Sequence, residues 1–498
     1  MTKKYLSLIL SAVLIISVFT ACTAQQSTDE HKLVTQTTTE ISADTTSFKL
    51  SYSQSDSLDP FESETLNNQI VEELVFDSLF TLDESFEAQP NIATSYSYTD
   101  NTTLTVTIPS GIQFSDGGTL TAKNVVSSFY KAKDSPHWKN SLKSIDSAST
   151  VSDTVIKFKL SYANPNAHNL LTFAVSNGKT DKAGYSIGSG RYKFAEGSGE
   201  VYIEVNKNYR KDFNPHFTKI LLINITSGES IENAVNIGNI SYAFRDLSTG
   251  SKVRIQSNKK AVNLNNLVYI GINQYSGITS NEYIRRAISL AIDRDTLVKS
   301  AYQGYAKSAV SVFNSASKLG KQTQIFSSVS DTAAAKQAIA QSGYESSELK
   351  IDILVNNNSN KYSAAQLIKQ QLETAGFKVT INKEKNASYQ NKVKNRNFNI
   401  YIGETKIPND MNLSSFFTSK GATRYGIKLD DSAAVKSYNG YLKSKNEIGR
   451  FVLAFSEEMP FIPLLYRQGM ICYSKSMHGD MQGYTDNYFS NIEDWYYN

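Results

Sequence analysis

Cysteine is almost absent: Cys22 and Cys472 are the two in 498 residues, too few for a disulfide framework or a cysteine-rich metal site. The five histidines (31, 137, 168, 216 and 478) stand far apart in the chain. They form no H-E-x-x-H pair and no zinc-ligand spacing with a cysteine, so zinc hydrolysis is disfavoured. No G-x-S-x-G elbow and no Walker-type loop occurs, which leaves neither a hydrolase nucleophile nor a nucleotide site in view. Charge of one sign is not in excess either: 51 Lys+Arg stand against 47 Asp+Glu. No strong field exists to draw nucleic acid or anionic lipid to the surface. Tryptophan is scarce at 2 residues, whereas Tyr (29) and Phe (24) are abundant and suit core filling or ligand enclosure.

Long apolar runs are confined to the start. Lys3 and Lys4 precede an apolar stretch from Tyr5 to Phe19 that is shorter than the ~20 residues of a membrane-spanning helix. Residues 1–21 therefore read as a signal peptide. Phe19-Thr20-Ala21-Cys22 resembles the bacterial lipobox, with Phe at the position usually held by Leu, so Cys22 is the expected lipidation site. Residues 22–46, rich in Thr, Ser and Gln, read as a flexible tether that reaches roughly 25 to 30 Å from its anchor. The rest exceeds what one core usually holds, so two or three lobes are expected.

Strand-like and helical patterns alternate along this body. Leu349, Ile351, Ile353 and Val355 alternate with polar residues, Ala364 to Ala375 keeps helical spacing, and Phe377, Val379 and Ile381 alternate again. That is a βαβ unit, with Gly376 at the helix C-terminus and a right-handed crossover between parallel strands. A second helix is expected from Thr279, capped toward Glu282, with Ile284, Ala287, Ile288, Ala291 and Ile292 on one face and Gly304 at its end. The segments 104–108 and 155–158 alternate between Gly, Ser and Asp turns, which marks residues 96–160 as β-rich.

Several ordered motifs resemble the extracytoplasmic solute-binding proteins of family 5, the peptide and nickel binding proteins of ABC importers. They are Asp59-Pro60, Phe114-Ser-Asp-Gly117-Gly-Thr-Leu-Thr-Ala122-Lys-Asn-Val125, Gly188-Ser-Gly-Arg-Tyr192, Tyr269-Ile-Gly-Ile-Asn273, Arg285-Arg-Ala-Ile288, Ala291-Ile-Asp-Arg294 and Pro460-Phe-Ile-Pro463. Thr119 and Asn124 replace the Pro and Asp usual in the second of these. The resemblance implies an α/β, two-lobed periplasmic-binding-protein-like fold of type II, cluster C, with an extra β-rich subdomain. Residues 47–271 would form lobe I, with the subdomain at about 80–180, residues 272–464 lobe II, and residues 465–498 the return to lobe I.

The function implied is noncatalytic capture of an oligopeptide or similar amine-bearing solute, delivered to an ABC permease and its ATPase. The protein would be a monomer on the extracytoplasmic face of the cell membrane, lipid-anchored, with no cofactor, no metal and no nucleic-acid partner. The alternatives are a lipoprotein adhesin or extracellular chaperone, with a hydrolase last. Peptide-binding relatives place an Asp for the ligand's amino group in the loop after Phe398 to Ile402. A desolvated ammonium needs such a counter-charge. Glu404 and Asp410 are the candidates, with Thr405 between them, although Glu404 also reads as a strand-end carboxylate and Asp410 as a turn residue. Arg424 and Tyr425 match the family's Asn-Tyr segment, Glu62 and Asn67 its cleft-facing loop, and Asn273 lies by the strand leaving the first lobe. The loop where nickel-binding relatives carry a histidine holds none here, which disfavours nickel.

Overall fold

Residues 47–247, 250 and 253–498 are described by a computed structural model. The signal segment, the tether and Cys22 lie outside the described residues. Among those described, no helix is long and apolar enough to cross a membrane.

Strand Phe48–Tyr52 runs parallel to Lys219–Asn224, which continues antiparallel into Glu200–Val205 and then Tyr192–Gly197. Helix Leu66–Val75 packs on this sheet through Ile70, Val71, Leu74 and Val75. Its far end is held by close approach, because Gly190 donates its N–H to the Val75 carbonyl at 2.9 Å. A Cβ on Gly190 would stand 2.6 Å from the Val75 carbonyl carbon, so the Gly188-Ser-Gly turn is glycine for want of space. The β-rich part is a four-stranded antiparallel sheet in the order Ser95–Asp100, Thr103–Thr107, Val155–Leu160, Ile145–Ser152. Its alternating Leu104, Val106, Ile156 and Phe158 share one core with Val125 and Phe129 of helix Ala122–Asp134. Asn124 serves that helix as well as Asp would, since its Oδ1 accepts the Thr121 N–H at 2.9 Å.

Two long antiparallel strands, Asn258–Ile272 and Phe461–Tyr473, leave this core and build the next. Val262, Leu264 and Ile471 belong to the first core, whereas Val268, Ile270, Ile272, Ile462 and Leu464 belong to the second. Between the two the register slips at Asn263/Leu267 and again at Val268/Tyr269. Strands Ile400–Lys406, Lys350–Asn356 and Lys378–Glu384 extend the same sheet. The expected βαβ unit is there: Ile351 pairs in parallel with Val379, helix Ser359–Ala375 connects the strands, and Gly376 has φ +115°. Tyr269 lies over Gly403 and Tyr401 over Gly271, cross-strand partners whose Cβ positions the rings occupy. Their hydroxyls meet at 3.2 Å.

The helix expected from Thr279 to Gly304 is shorter. It spans Glu282–Ala291, and Asn281, not Thr279, caps it by accepting the N–H groups of Tyr283 and Ile284. Thr279 is instead buried and donates to the Asn273 carbonyl at 2.8 Å. Beyond Ala291 the chain turns so that Arg294, 1 % exposed, reaches the carbonyls of Pro463 and Ser327 and the Ser289 hydroxyl. Arg285, donating to the Glu458 carbonyl, and Arg294 thus satisfy main-chain carbonyls. A third, aromatic-rich core of Phe313, Phe416, Phe417, Tyr438, Phe451, Phe455 and Phe461 takes in one distant residue, Phe86, at the tip of the hairpin Phe80–Leu82/Ala88–Pro90.

Candidate ligand cavity

A cavity of about 330 Å³ opens at the end of helix Leu66–Val75. The helix and the segment after it contribute Gln69, Glu72, Glu73, Phe76, Asp77 and Ser78, and His137 and Trp138 close one side. The C-terminal return supplies Asp486 to Tyr488, and Lys406 reaches in from the end of strand Ile400–Lys406. Its size is at the small end of ligand pockets. A larger hollow of about 610 Å³ is lined by residues between 282 and 459 alone, among them Tyr283, Arg286 and Arg294.

The floor is acidic. Glu72 is 3 % exposed, accepts the Ser63 hydroxyl at 2.9 Å on one oxygen, and leaves the other without a partner. Burial, reinforced by Asp59 and Asp56, raises its pKa well above the carboxylate range. Burial likewise pushes Glu73 up to about 8, opposed by the Tyr488 and Phe489 N–H groups and by Arg191. Asp486 adds to that rise, because it is a second negative charge facing the first. Desolvation takes His137 down to about 4, and its Nδ1 finds no partner. Its ring stacks on Trp138 at 4.2 Å. Asp77 is already committed: Arg210 pairs with it, and Arg210 also holds the Asn91 amide oxygen. Arg191 spends a hydrogen bond on the Phe489 carbonyl at 2.7 Å.

Amides that cross between lobes tie this cavity to the second. Asn409 donates to the Asp486 carboxylate at 2.9 Å, and Asn164 to Asp410 at 2.6 Å. Asn412 donates to the Tyr162 hydroxyl at 3.2 Å, and Asn166 to that of Tyr441 at 3.1 Å. The loop after strand Ile400–Lys406 is therefore clamped against residues 162–166, with Asp486 at its inner edge.

None of the eight expected site residues lines the cavity. Glu404 lies on the strand, paired with Lys361 at 3.0 Å and Arg467 at 3.4 Å, with Asn266 also at 3.4 Å. Thr405 is half-buried beside it. Asp410 is 3 % exposed in the interlobe seam, and burial pushes it up to about 6 while the Asn164 amide and the Asn412 N–H hold it down. Asn273 is buried and donates to the Arg396 and Phe398 carbonyls. Asn67 donates to the Ile225 carbonyl at 3.2 Å, and Glu62 is exposed in its loop. Arg424 lies over the Tyr425 ring at 5.0 Å, its Nε buried and unpartnered. Sequence reasoning passed over Glu72, Glu73, His137, Trp138 and Asp486. A signal was available in Ile70-Val-Glu-Glu-Leu-Val75, where an acid interrupts the buried stripe of a helix. Among the described residues, no group of three or more His, Cys, Asp and Glu side chains is placed to hold a metal ion.

Two cores joined by paired strands, with a polar cavity on the first that Lys406 of the strand leading from the second reaches, have the plan of a two-lobed binding protein. Residues 87–425 match the model of the bacterial extracellular solute-binding proteins, family 5. The chain belongs to that family, whose members bind solutes for transport and are not enzymes. The glutathione-binding protein GsiB of Pectobacterium atrosepticum is 24 % identical over 343 residues, 65 % of this chain and 66 % of that protein, just under two thirds of the relative's length. Among solved structures, the periplasmic murein tripeptide binding protein MppA in its unliganded open form aligns with a TM-score of 0.75, at 19 % identity over 91 % of this chain and 97 % of that one. The ABC transporter substrate-binding protein CtaP of Listeria monocytogenes aligns at 0.70, with 21 % identity over 91 % and 99 %.

Proposed function

We propose that this chain is the extracytoplasmic substrate-binding lipoprotein of an ABC importer. In this reading, residues 47–271 with 465–498 and residues 272–464 close on a small amine-bearing solute such as a short peptide. Cys22 carries the lipid anchor, and the closed monomer presents its load to the permease and ATPase. The observation that carries the reading is the cavity shared between helix Leu66–Val75, the C-terminal return and Lys406, with Asn409 bonded to its Asp486 floor. A ligand there bears on the interlobe seam, so occupancy and closure are coupled. The names of GsiB and MppA, binders of glutathione and of a murein tripeptide, support a peptide-like load.

The test is small-angle scattering with and without a low-molecular-weight extract of the producing cells. A fall in radius of gyration is expected, and no change with any fraction points to the adhesin or chaperone reading. Cys22→Ala is expected to release the protein from membranes in detergent-free fractionation, and an unchanged membrane fraction sinks the anchor.

A further inference from the structure

The groups on the cavity floor are not balanced against one another. Glu72, Glu73 and Asp486 all line it, and among the described residues none of them lies within ion-pair distance of a lysine or arginine. Arg191, which also lines it, is engaged with the Phe489 carbonyl and, at 3.9 Å, with Glu493. Lys211 and Lys406 also line it and are exposed. Two polar atoms on the walls, Glu72 Oε1 and His137 Nδ1, are buried with no partner. Uncharged aromatic surface from Phe76, Trp138 and Tyr488 lies alongside, the kind of wall on which an organic cation rests. An anion would bring only further acceptors to Glu72 Oε1 and His137 Nδ1, whereas an ammonium brings the N–H donors they lack.

We propose that the cavity takes a solute with a protonated amine at its leading end, seated between the carboxylates of Glu73 and Asp486, with any acidic end of the solute turned toward Lys406. The assignment rests on the solute-binding reading above and goes beyond it by giving the ligand's charge and orientation. It moves amine recognition from the loop at Glu404 and Asp410 to the helix Leu66–Val75. Asn409 Nδ2 already orients Asp486 from the second lobe, so the seated ammonium contacts a group that both lobes hold.

A proton balance follows. Glu73 is pushed up to about 8, so at neutral pH its carboxyl is largely protonated in the empty protein. The groups facing it are Glu72 on its own helix, Arg191, Tyr242, and Asp486 and Tyr488 of the C-terminal return. Seating an ammonium makes the carboxylate the favoured form, and the displaced proton goes to the buffer. Affinity for an amine therefore rises with pH, about tenfold from pH 6 to pH 7 and about fivefold more to pH 8, and levels off above that.

The probes are the dipeptide Lys-Ala, its Nα,Nε-diacetyl form and 1,5-diaminopentane, followed by calorimetry at pH 6, 7 and 8 in phosphate and, at pH 7, also in Hepes. The full-length protein without its lipid anchor is used. Lys-Ala and 1,5-diaminopentane are expected to bind, and the diacetyl form at least tenfold more weakly than Lys-Ala. Near one proton should be released at pH 7. Glu73→Gln is expected to weaken Lys-Ala at least tenfold and abolish the proton release. Asp486→Asn keeps the Asn409 hydrogen bond and tolerates the left-handed backbone at φ +56°, so it is the second variant should the first fold poorly. Equal binding of free and acetylated probes, unchanged affinity in both variants, or no binding by any amine overturns the proposal. Scattering separates this from the broader reading: an anionic or neutral extract component that closes the protein leaves the importer intact and removes the cation.

Discussion

Glu404 is the residue whose replacement best separates a ligand receptor from a structural ion. Its side chain is 11 % exposed, between Lys361 at 14 % and Arg467 at 2 %. Glu404→Gln keeps the shape but removes the charge that both cations face. Gln can still offer its oxygen to Arg467 or Asn266, but its amide then points N–H groups at the Lys361 ammonium. Breaking a buried ion pair by removing one partner costs about 3 to 5 kcal/mol, because the remaining charge is left without compensation. Arg467 has few alternatives: Nη2 donates to the Leu247 carbonyl, and Nε is already unpartnered. The loss falls on the second core, where strand Ile400–Lys406 and helix Ser359–Ala375 meet. Trp138 and Trp495 both sit in the first core, so tryptophan fluorescence follows that lobe and circular dichroism follows both. A melt of the ligand-free protein should show the dichroism transition moving down by several degrees, with the fluorescence transition moving less. Adding Lys361→Gln should recover part of the loss, since the two changes act on one pair. A dichroism melt of Glu404→Gln within about one degree of wild type refutes the reasoning and returns Glu404 to the list of ligand contacts.

Asp410, pushed up to about 6 from 3.8, holds its proton better in the folded protein than in the unfolded chain. Its contribution is present below pH 3.8 and lost as pH rises through 6, an amount on the order of 3 kcal/mol. Melting temperatures from pH 4 to 7 should therefore shift in favour of Asp410→Asn relative to wild type, and a constant difference counts against the buried carboxyl. Gly190→Ala forces a methyl to 2.6 Å from the Val75 carbonyl carbon, so thermal unfolding should show a loss of about 1 to 3 kcal/mol. Phe86→Ala empties a site 2 % exposed and should cost about 3 to 5 kcal/mol by denaturant unfolding.

Periodic and short-range features were legible from the chain alone. The alternation of Ile351 and Ile353, the helix from Ala364 to Ala375 and the turn at Gly376 are local patterns, each satisfied within about thirty residues. The capping of helix Ala122–Asp134 by Thr121 and Asn124 is likewise local. Helix 282–291 is shorter at both ends than its pattern predicts, because side chains at each end turn to carbonyls outside it. Thr279 is drawn to the Asn273 carbonyl, and Arg294 is pulled inward by Pro463 from the far end of the chain.

The cavity is the clearest case of what sequence order conceals. Glu73, His137, Arg191, Lys406 and Asp486 are spread over more than four hundred residues, and no spacing links them. Glu404 carries the residue type expected of an ammonium receptor, yet Lys361 and Arg467 reach it first. By itself the sequence determined the family, the two-lobed α/β plan and the glycines that let strands and helix ends approach, because hydrophobic period and backbone freedom act locally. Tertiary structure alone decided which carboxylates are paired and which stand open, because a charge is compensated by whatever lies within a few ångströms of it in space.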